Sequence, residues 1–134
     1  MKMASFATPA FLTAWAKIYT PGVDRLPSFV YKAHILHEYL ASQNKRFVEL
    51  RESIITKYAD KGEDGKPAVK DGNVHFADEV LEAVNKEFAE LMALNLQPEV
   101  PLKLSLQELE MNGVKIAAPD VAVLSDILIL EQIV

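Results

Sequence analysis

The dominant pattern along the chain is a stripe of apolar residues at helical spacing. Steps of three and four residues, with one double step, separate its members, which are Phe29, Ala33, Leu36, Leu40, Phe47, Leu50, Ile54 and Tyr58. Pro27 suits the first helical position, where its missing N–H has no intrahelical partner. The pattern predicts one helix over residues 27–59, on the order of 45 Å long. We expect the rest of the chain to pack against it.

Two residues on apolar helical faces each allow two interpretations. Gln43 stands where the stripe makes its double step. It is either a polar residue that sets the register of a helix–helix contact, or a half-exposed residue at a point where the face drifts. Trp15 is either a binding anchor or a core residue, and we favour the core. The near-heptad stripe also suits pairing with a second copy, so a homo-oligomer stays open.

Two further helices are predicted before and after the long one. Thr8-Pro9 is typical of an N-cap followed by a first-turn proline, and it opens a helix over residues 9–19. Asp78 suits the cap of another helix, over residues 78–95. We expect this helix to return antiparallel along the long one, because the connection between them is short.

A β-hairpin is predicted between the long helix and the helix that follows it. The Asp71-Gly72 pair separates two short segments, as in a two-residue hairpin turn. The acidic run before it also resembles a calcium-binding loop, but several ligand positions hold Gly, Ala or Pro, so we favour turn chemistry. The hairpin covers residues 66–76. Its exposed tip supplies the candidate partner-binding residues, which are Lys66, Val69, Val74 and Phe76.

The spacing changes from helical to alternating after residue 98. Apolar residues at every second position predict a strand over residues 99–106, with one buried face. Asn112-Gly113 is a turn signal, and it precedes a predicted second strand over residues 114–117. The two strands together predict a small β element.

The C-terminal segment is almost entirely apolar. We predict a helix over residues 119–131, since Pro119 and Asp120 suit a first turn, and a strand from Ile127 on is the alternative. We expect this segment in the core, with a partner-binding surface as the alternative. The predicted fold class is α+β, mainly α, in a single domain. It comprises a long antiparallel helical hairpin with a β-hairpin at its tip, a small β element and an apolar C-terminal helix.

Composition narrows the class of partner. The 134-residue chain has a net charge of −5 and a sequence pI near 5.2, so a nucleic-acid partner is not expected. Cysteine is absent, which excludes disulfides and thiolate chemistry and fits a reducing cytoplasm. No run of about 18 apolar residues occurs, and residues 1–16 are interpreted as mature structure rather than a signal peptide. We therefore expect no membrane association.

His34, His37 and Glu38 are the candidate metal ligands. Histidines three apart share a helix face, so with the carboxylate they offer nitrogen and oxygen ligands. Zinc proteases instead place two histidines four apart, and we favour surface histidines beside the core stripe. The sequence contains no glycine-rich phosphate loop and no nucleophile turn. We therefore expect no metal, no cofactor and no enzymatic activity.

From Leu50 onward the chain carries turn and helix motifs in a distinctive order. It reads Leu-Arg-Glu-Ser-Ile-Ile-Thr-Lys-Tyr-Ala-Asp, then Gly-Glu-Asp-Gly-Lys-Pro, a short hairpin, and Val-Asn-Lys-Glu-Phe-Ala-Glu-Leu. This order resembles a family of small bacteriophage proteins of uncharacterised function, in which an alternating strand and an apolar C-terminal segment follow. The resemblance leaves out residues 1–20. It implies a shared fold over the larger part of the chain and brings no catalytic residues.

The functional expectation follows from this resemblance, the acidity and the exposed hairpin tip. We expect a non-enzymatic phage protein that acts through protein–protein contacts, as an inhibitor or adaptor in the cytoplasm of the infected host. One alternative is a virion or assembly component in the tail or connector region. Another is an acidic mimic of nucleic acid, which needs ordered carboxylates at phosphate-like spacing. The mixed charges on the long helix argue against the mimic.

Overall fold

One long helix runs through the molecule, and the other elements pack along it. The structure, a computed structural model, describes residues 1–20 and 22–129. Its α-helices are α1 (Met3–Phe6), α2 (Pro9–Ile18), α3 (Pro27–Tyr58), α4 (Leu81–Ala93), α5 (Leu106–Met111) and α6 (Ala118–Val123). Its strands are β1 (Val69–Lys70), β2 (Asn73–Val74), β3 (Leu104–Ser105) and β4 (Leu128–Ile129), with 3-10 turns at Asp78–Val80 and Ser125–Ile127. The described chain is mainly helical with small two-stranded sheets, which confirms the predicted class.

The long helix α3 is buried over only part of its length. It begins at Pro27, and it ends at Tyr58, after which the Ala59 N–H donates to the Ile55 carbonyl oxygen at 2.8 Å. All its buried residues lie in the first half, and they are Phe29, Ala33, Leu36, Tyr39, Leu40 and Gln43. The stripe seen in the sequence therefore becomes core up to residue 43 and a half-exposed face beyond it.

The hydrophobic core surrounds this first half of α3. Elements from both ends of the described chain supply its walls, with buried side chains that include Met3, Phe6, Phe11, Trp15, Ile18, Leu96, Leu104, Leu109, Leu124, Ile127 and Leu128. The Thr8 hydroxyl caps α2 by accepting a hydrogen bond from the Phe11 N–H at 3.1 Å. Lys17 of α2 and Asp120 of α6 form an ion pair at 2.8 Å. Trp15 and the described part of the apolar C-terminal segment thus contribute to the core.

The helix α4 packs antiparallel to α3. Lys57, near the end of α3, forms an ion pair with Glu87 of α4 at 3.1 Å. Gln43, earlier in α3, instead contacts the segment just after α4, where its side-chain nitrogen donates to the Gln97 carbonyl oxygen at 2.9 Å. The two helices therefore run in opposite directions. Asp78 does not cap α4 as predicted, since it begins a 3-10 turn and accepts no capping hydrogen bond.

The β-hairpin closes the far end of this helix pair. Strands β1 and β2 are antiparallel, with Val69 opposite Val74. The two turn residues have positive φ angles, 51° at Asp71 and 79° at Gly72, as a type I′ turn requires. Glycine tolerates this conformation because it has no Cβ, and aspartate is among the residues that adopt it most readily.

The strands predicted from the alternating pattern are mostly absent. Of the predicted strand at 99–106, only Leu104–Ser105 is a strand, and no strand forms at 114–117. The Ser105 hydroxyl accepts a hydrogen bond from the Glu108 N–H at 3.0 Å, which caps α5. This capping interaction ends the strand at Ser105 and begins a helix at Leu106.

The predicted C-terminal helix over 119–131 is also wrong over most of its length. Helix α6 stops at Val123, and a 3-10 turn leads into β4, which pairs in parallel with β3 so that Leu104 lies opposite Leu128. The predicted alternative, a strand from Ile127 on, is closer to the observed strand. Residues 130 and 131 of the prediction lie outside the described residues. Pairing with β3 buries Leu128, whereas a continued helix would form no such contact.

The first helix, α1, was not predicted from the sequence. It is a single turn whose buried residues are Met3 and Phe6. Backbone hydrogen bonds hold it against the end of α4, from the Met3 N–H to the Leu94 carbonyl oxygen and from the Leu96 N–H to the Met1 carbonyl oxygen, both at 2.8 Å. The start of the chain therefore helps to close the core beneath α4.

Candidate functional site

The second half of α3, the β-hairpin and the first part of α4 form a projection that we call the distal arm, residues 44–90. The structure describes all of these residues, and only Ala59 and Val84 among them are buried. Three of its large apolar side chains, Leu50, Val69 and Leu81, are exposed. The others are partly buried, and they include Phe47, Val48, Ile54, Ile55, Val74, Phe76, Val80 and Phe88. Because these side chains keep part of their surface in contact with solvent on both helices and on the hairpin, the distal arm is the candidate binding surface.

The hairpin tip carries the residues predicted to bind a partner. Val69 is 63% exposed, and it lies directly opposite the half-buried Val74. Phe76 follows Val74 by two residues, so both share one face of the strand, and it forms a bridge with Ala59 at the end of α3. The structure thus brings these three residues onto one face. Lys66 is exposed in the turn that precedes this face.

Polar contacts fix the hairpin to the end of α3. The Asp60 N–H donates to the His75 carbonyl oxygen at 3.0 Å, and the Ala68 N–H donates to the Asp60 carbonyl oxygen at 2.7 Å. The Asp60 carboxylate also meets the His75 ring nitrogen Nδ1 at 2.5 Å. No spacing rule relates residues fifteen apart across a turn, so this pair cannot be predicted from the sequence. These contacts therefore hold the hairpin, and with it the tip, against the end of α3.

A groove runs along one side of the distal arm, between α3 and α4. Its volume is about 290 Å³, and its lining comprises Leu50, Ser53, Ile54, Glu87, Glu90, Leu91 and Leu94. Leu50 is 43% exposed and Leu94 is 47% exposed. Glu87, which lines the groove, accepts a hydrogen bond from Lys57, and this bond is the largest of the effects that raise the pKa of the Lys57 ammonium. The groove therefore has an apolar floor and carboxylates on its α4 side.

The candidate metal ligands are not brought together as a site. His34 Nε2 lies 3.0 Å from the Glu38 carboxylate, and both side chains are exposed. His37 faces α2 instead, where the Trp15 indole N–H donates to its Nδ1 at 3.2 Å and the Tyr19 ring stacks on it at 3.9 Å. Within residues 1–20 and 22–129, no group of three or more His, Asp or Glu side chains is placed to hold a metal ion.

Gln43 is buried, so its interpretation as a half-exposed residue is wrong. Its exposed fraction is 2%, and its amide contacts the Gln97 backbone rather than another helix. One turn earlier, the Tyr39 hydroxyl donates to the Pro98 carbonyl oxygen at 2.7 Å, and burial raises the pKa of this hydroxyl. Gln43 and Tyr39 thus anchor the segment that leaves α4, which marks the boundary between the core and the distal arm.

Comparisons with known proteins identify no relative of this chain. No family model, no curated protein and no solved structure matches the chain significantly. Among the described helices, none combines the length and the apolar character needed to cross a bilayer.

Proposed function

We propose that the protein is a non-enzymatic phage protein that acts through protein–protein contact, as an inhibitor or adaptor in the cytoplasm of the infected host. The observation that carries the proposal is the exposure of the distal arm, in which only Ala59 and Val84 are buried. Monomeric proteins rarely expose contiguous apolar surface without using it for binding. The exposed apolar residues of the arm lie on regular elements, with Leu50 on α3, Leu81 on α4 and Val69 on the hairpin.

The order of motifs supports the phage origin. The Lys-Tyr-Ala end of α3, the Asp-Gly-Lys-Pro turn, the hairpin and the Asn-Lys-Glu-Phe segment of α4 follow the order described for the resembling phage proteins. These motifs form the distal arm itself. The resemblance and the exposed surface therefore concern the same part of the molecule.

The hairpin tip is where the proposal is most directly tested. A charge placed at Val69, as in Val69→Asp, puts a carboxylate at the centre of the exposed tip. Met111→Asp is the matched control, because Met111 is 64% exposed against 63% for Val69 and lies outside the arm. The tagged full-length protein and both variants are expressed in infected host cells, cross-linked and recovered, and the proteins bound in stoichiometric amounts are identified by mass spectrometry.

We expect a host protein to be recovered with the wild type and with Met111→Asp, and to be lost with Val69→Asp. Recovery of no stoichiometric host partner contradicts the proposal. Detection of the chain in purified phage particles by mass spectrometry instead supports the role of a virion or assembly component. Thermal unfolding of all three proteins checks that the substitutions leave the fold intact.

A further inference from the structure

The groove between α3 and α4 has an asymmetric chemistry that limits what fits it. Its apolar floor comes from Leu50 and Ile54 of α3, Leu91 of α4 and Leu94 just after α4. Its charged lining consists of two carboxylates, Glu87 and Glu90, and no lysine or arginine is among the lining residues that the structure describes. An apolar occupant would therefore leave Glu90 without a partner, and an acidic one would face both carboxylates with like charge.

One of the two carboxylates retains capacity to bind a cation. Lys57 contacts only the Oε1 atom of Glu87, at 3.1 Å. The Tyr58 side chain also interacts with Glu87, and this interaction is the largest cause that lowers the pKa of the Glu87 carboxyl. Glu87 is therefore largely occupied by contacts within the chain. Glu90, one turn further along α4, is exposed and forms no ion pair with the described residues. A guanidinium or ammonium group entering the groove would meet the exposed Glu90 carboxylate.

We propose that this groove binds an amphipathic, basic segment of a protein partner. The inference rests on the proposed function, since it specifies the chemistry of the partner. Apolar side chains of the segment pack against Leu50, Ile54 and Leu94, while an arginine or lysine pairs with Glu90. The segment from Glu87 on α4 to Leu94 just after it spans about two helical turns, about 10 Å. This length suits two turns of a helix laid in a groove between two others.

The test uses a displayed library of random 16-residue segments, selected on the full-length wild-type protein. Selected segments are then synthesised, and their binding is measured by fluorescence anisotropy. Leu50→Ser tests the floor, and Leu26→Ser is its matched control, because Leu26 is 48% exposed at the opposite end of α3. Glu90→Gln tests the carboxylates, and Glu52→Gln, an exposed carboxylate of α3 outside the groove lining, is its control.

We expect selected segments to carry lysine or arginine together with apolar residues three and four apart. Their affinity falls about tenfold or more with Leu50→Ser. With Glu90→Gln it falls severalfold, and the salt dependence of binding weakens. Both controls retain wild-type affinity. Acidic or purely apolar binders, equal binding to Leu50→Ser, or no binders at all overturns the inference.

Two further outcomes separate this inference from the proposed function. A host partner that is lost with Val69→Asp but retained with Leu50→Ser supports the proposed function and contradicts the groove inference. Library segments that need Leu50, in the absence of any host partner, support the groove and contradict the proposed function. A second copy of the chain is the remaining possible occupant, and light scattering across protein concentration tests it. A dimer that Leu50→Ser dissociates would show that a second copy fills the groove, and this result overturns the inference.

Discussion

The two halves of α3 have the same apolar spacing but different surroundings. In residues 27–43 the stripe is covered on several sides and Leu36 is fully buried, whereas in residues 44–58 no residue is buried and Leu50 is 43% exposed. The first half packs among elements from both ends of the described chain, and the second half has α4 on one side. An apolar helical stripe therefore predicts which face of a helix packs against other elements. The number of neighbouring elements determines how much of that face is buried.

The largest difference between the halves is expected for leucine-to-alanine substitutions. Leu36→Ala removes a fully buried side chain and leaves a cavity, so unfolding should become easier by about 2–5 kcal/mol. Leu50→Ala removes a half-exposed side chain, and its effect should stay below about 1 kcal/mol. Urea unfolding of both variants gives the two free energies. Equal losses would show that the distal arm is buried in solution, for example in a dimer.

The boundary between the halves is tested at Gln43. Gln43→Ala removes the amide that donates to the Gln97 carbonyl oxygen, and it leaves space at a position that is 2% exposed. We expect a loss of about 1–3 kcal/mol in the free energy of unfolding. Asn44→Ala, at the next and exposed position, is the control and should change little. A Gln43→Ala variant as stable as the wild type would show that this anchor does not hold α3 to the segment after α4.

Alanine substitutions at two glycines with positive φ angles compare the local stability of the arm with that of the core. Gly72 has φ 79° in the hairpin turn, and Gly113 has φ 70° after α5; a Cβ at either meets no atom within 4 Å. Alanine at each position should cost about 1 kcal/mol through backbone strain alone. For Gly72→Ala we expect faster hydrogen exchange only at arm amides, such as those of Ala68 and His75. For Gly113→Ala we expect a lower global stability in urea. Reversed patterns would show that the hairpin, rather than the core, governs cooperative unfolding.

The smallest expected effect is a change in the pH dependence of stability when the ion pair between α2 and α6 is removed. Hydrogen bonding from Lys17, followed by that from the Ala117 N–H, holds the pKa of the Asp120 carboxyl below its ordinary value of 3.8. A carboxyl with a lower pKa in the folded state stabilises the fold above its unfolded pKa, and this contribution disappears as the pH falls through the folded pKa. Asp120→Asn should therefore lose stability less steeply than the wild type below pH 3.8.

Urea unfolding at a series of pH values measures this difference. Asp24→Asn, which removes an exposed carboxylate without an ion pair to the described residues, is the control and should follow the wild type. Parallel curves for Asp120→Asn and the wild type would show that the ion pair contributes nothing to acid sensitivity.

Elements with strong local signals were the predictable part of the fold. Thr8-Pro9, Pro27 and Asp71-Gly72 act on their immediate neighbours, so their effects are visible in sequence. The pairing of Leu104 with Leu128 is not local, and the alternating pattern at 99–106 gave no warning that Ser105 would cap a helix. The Ser105-x-x-Glu108 spacing is a capping signal that was overlooked.

The candidate site was predictable to a similar degree. The hairpin turn placed Val69 opposite Val74, because a two-residue loop fixes the register of its strands. The groove could not be predicted from the sequence, because its lining depends on the position of α4 along α3, which places Glu87 beside Lys57. The histidine spacing was misleading for a related reason: His37 pairs with Trp15, twenty-two residues away in the sequence.

The distal arm and the core also differ in when their residues become available during synthesis. Every residue of the arm, up to residue 90, precedes Leu104, Leu124 and Leu128, which complete the core. The arm joins neighbours in sequence, and such contacts form fast because little loop entropy opposes them. A nascent chain can therefore finish the arm while the first half of α3 is covered only by the elements that precede it, such as α2. This interval, before β4 pairs with β3, is when the chain is most exposed to misassembly or chaperone binding.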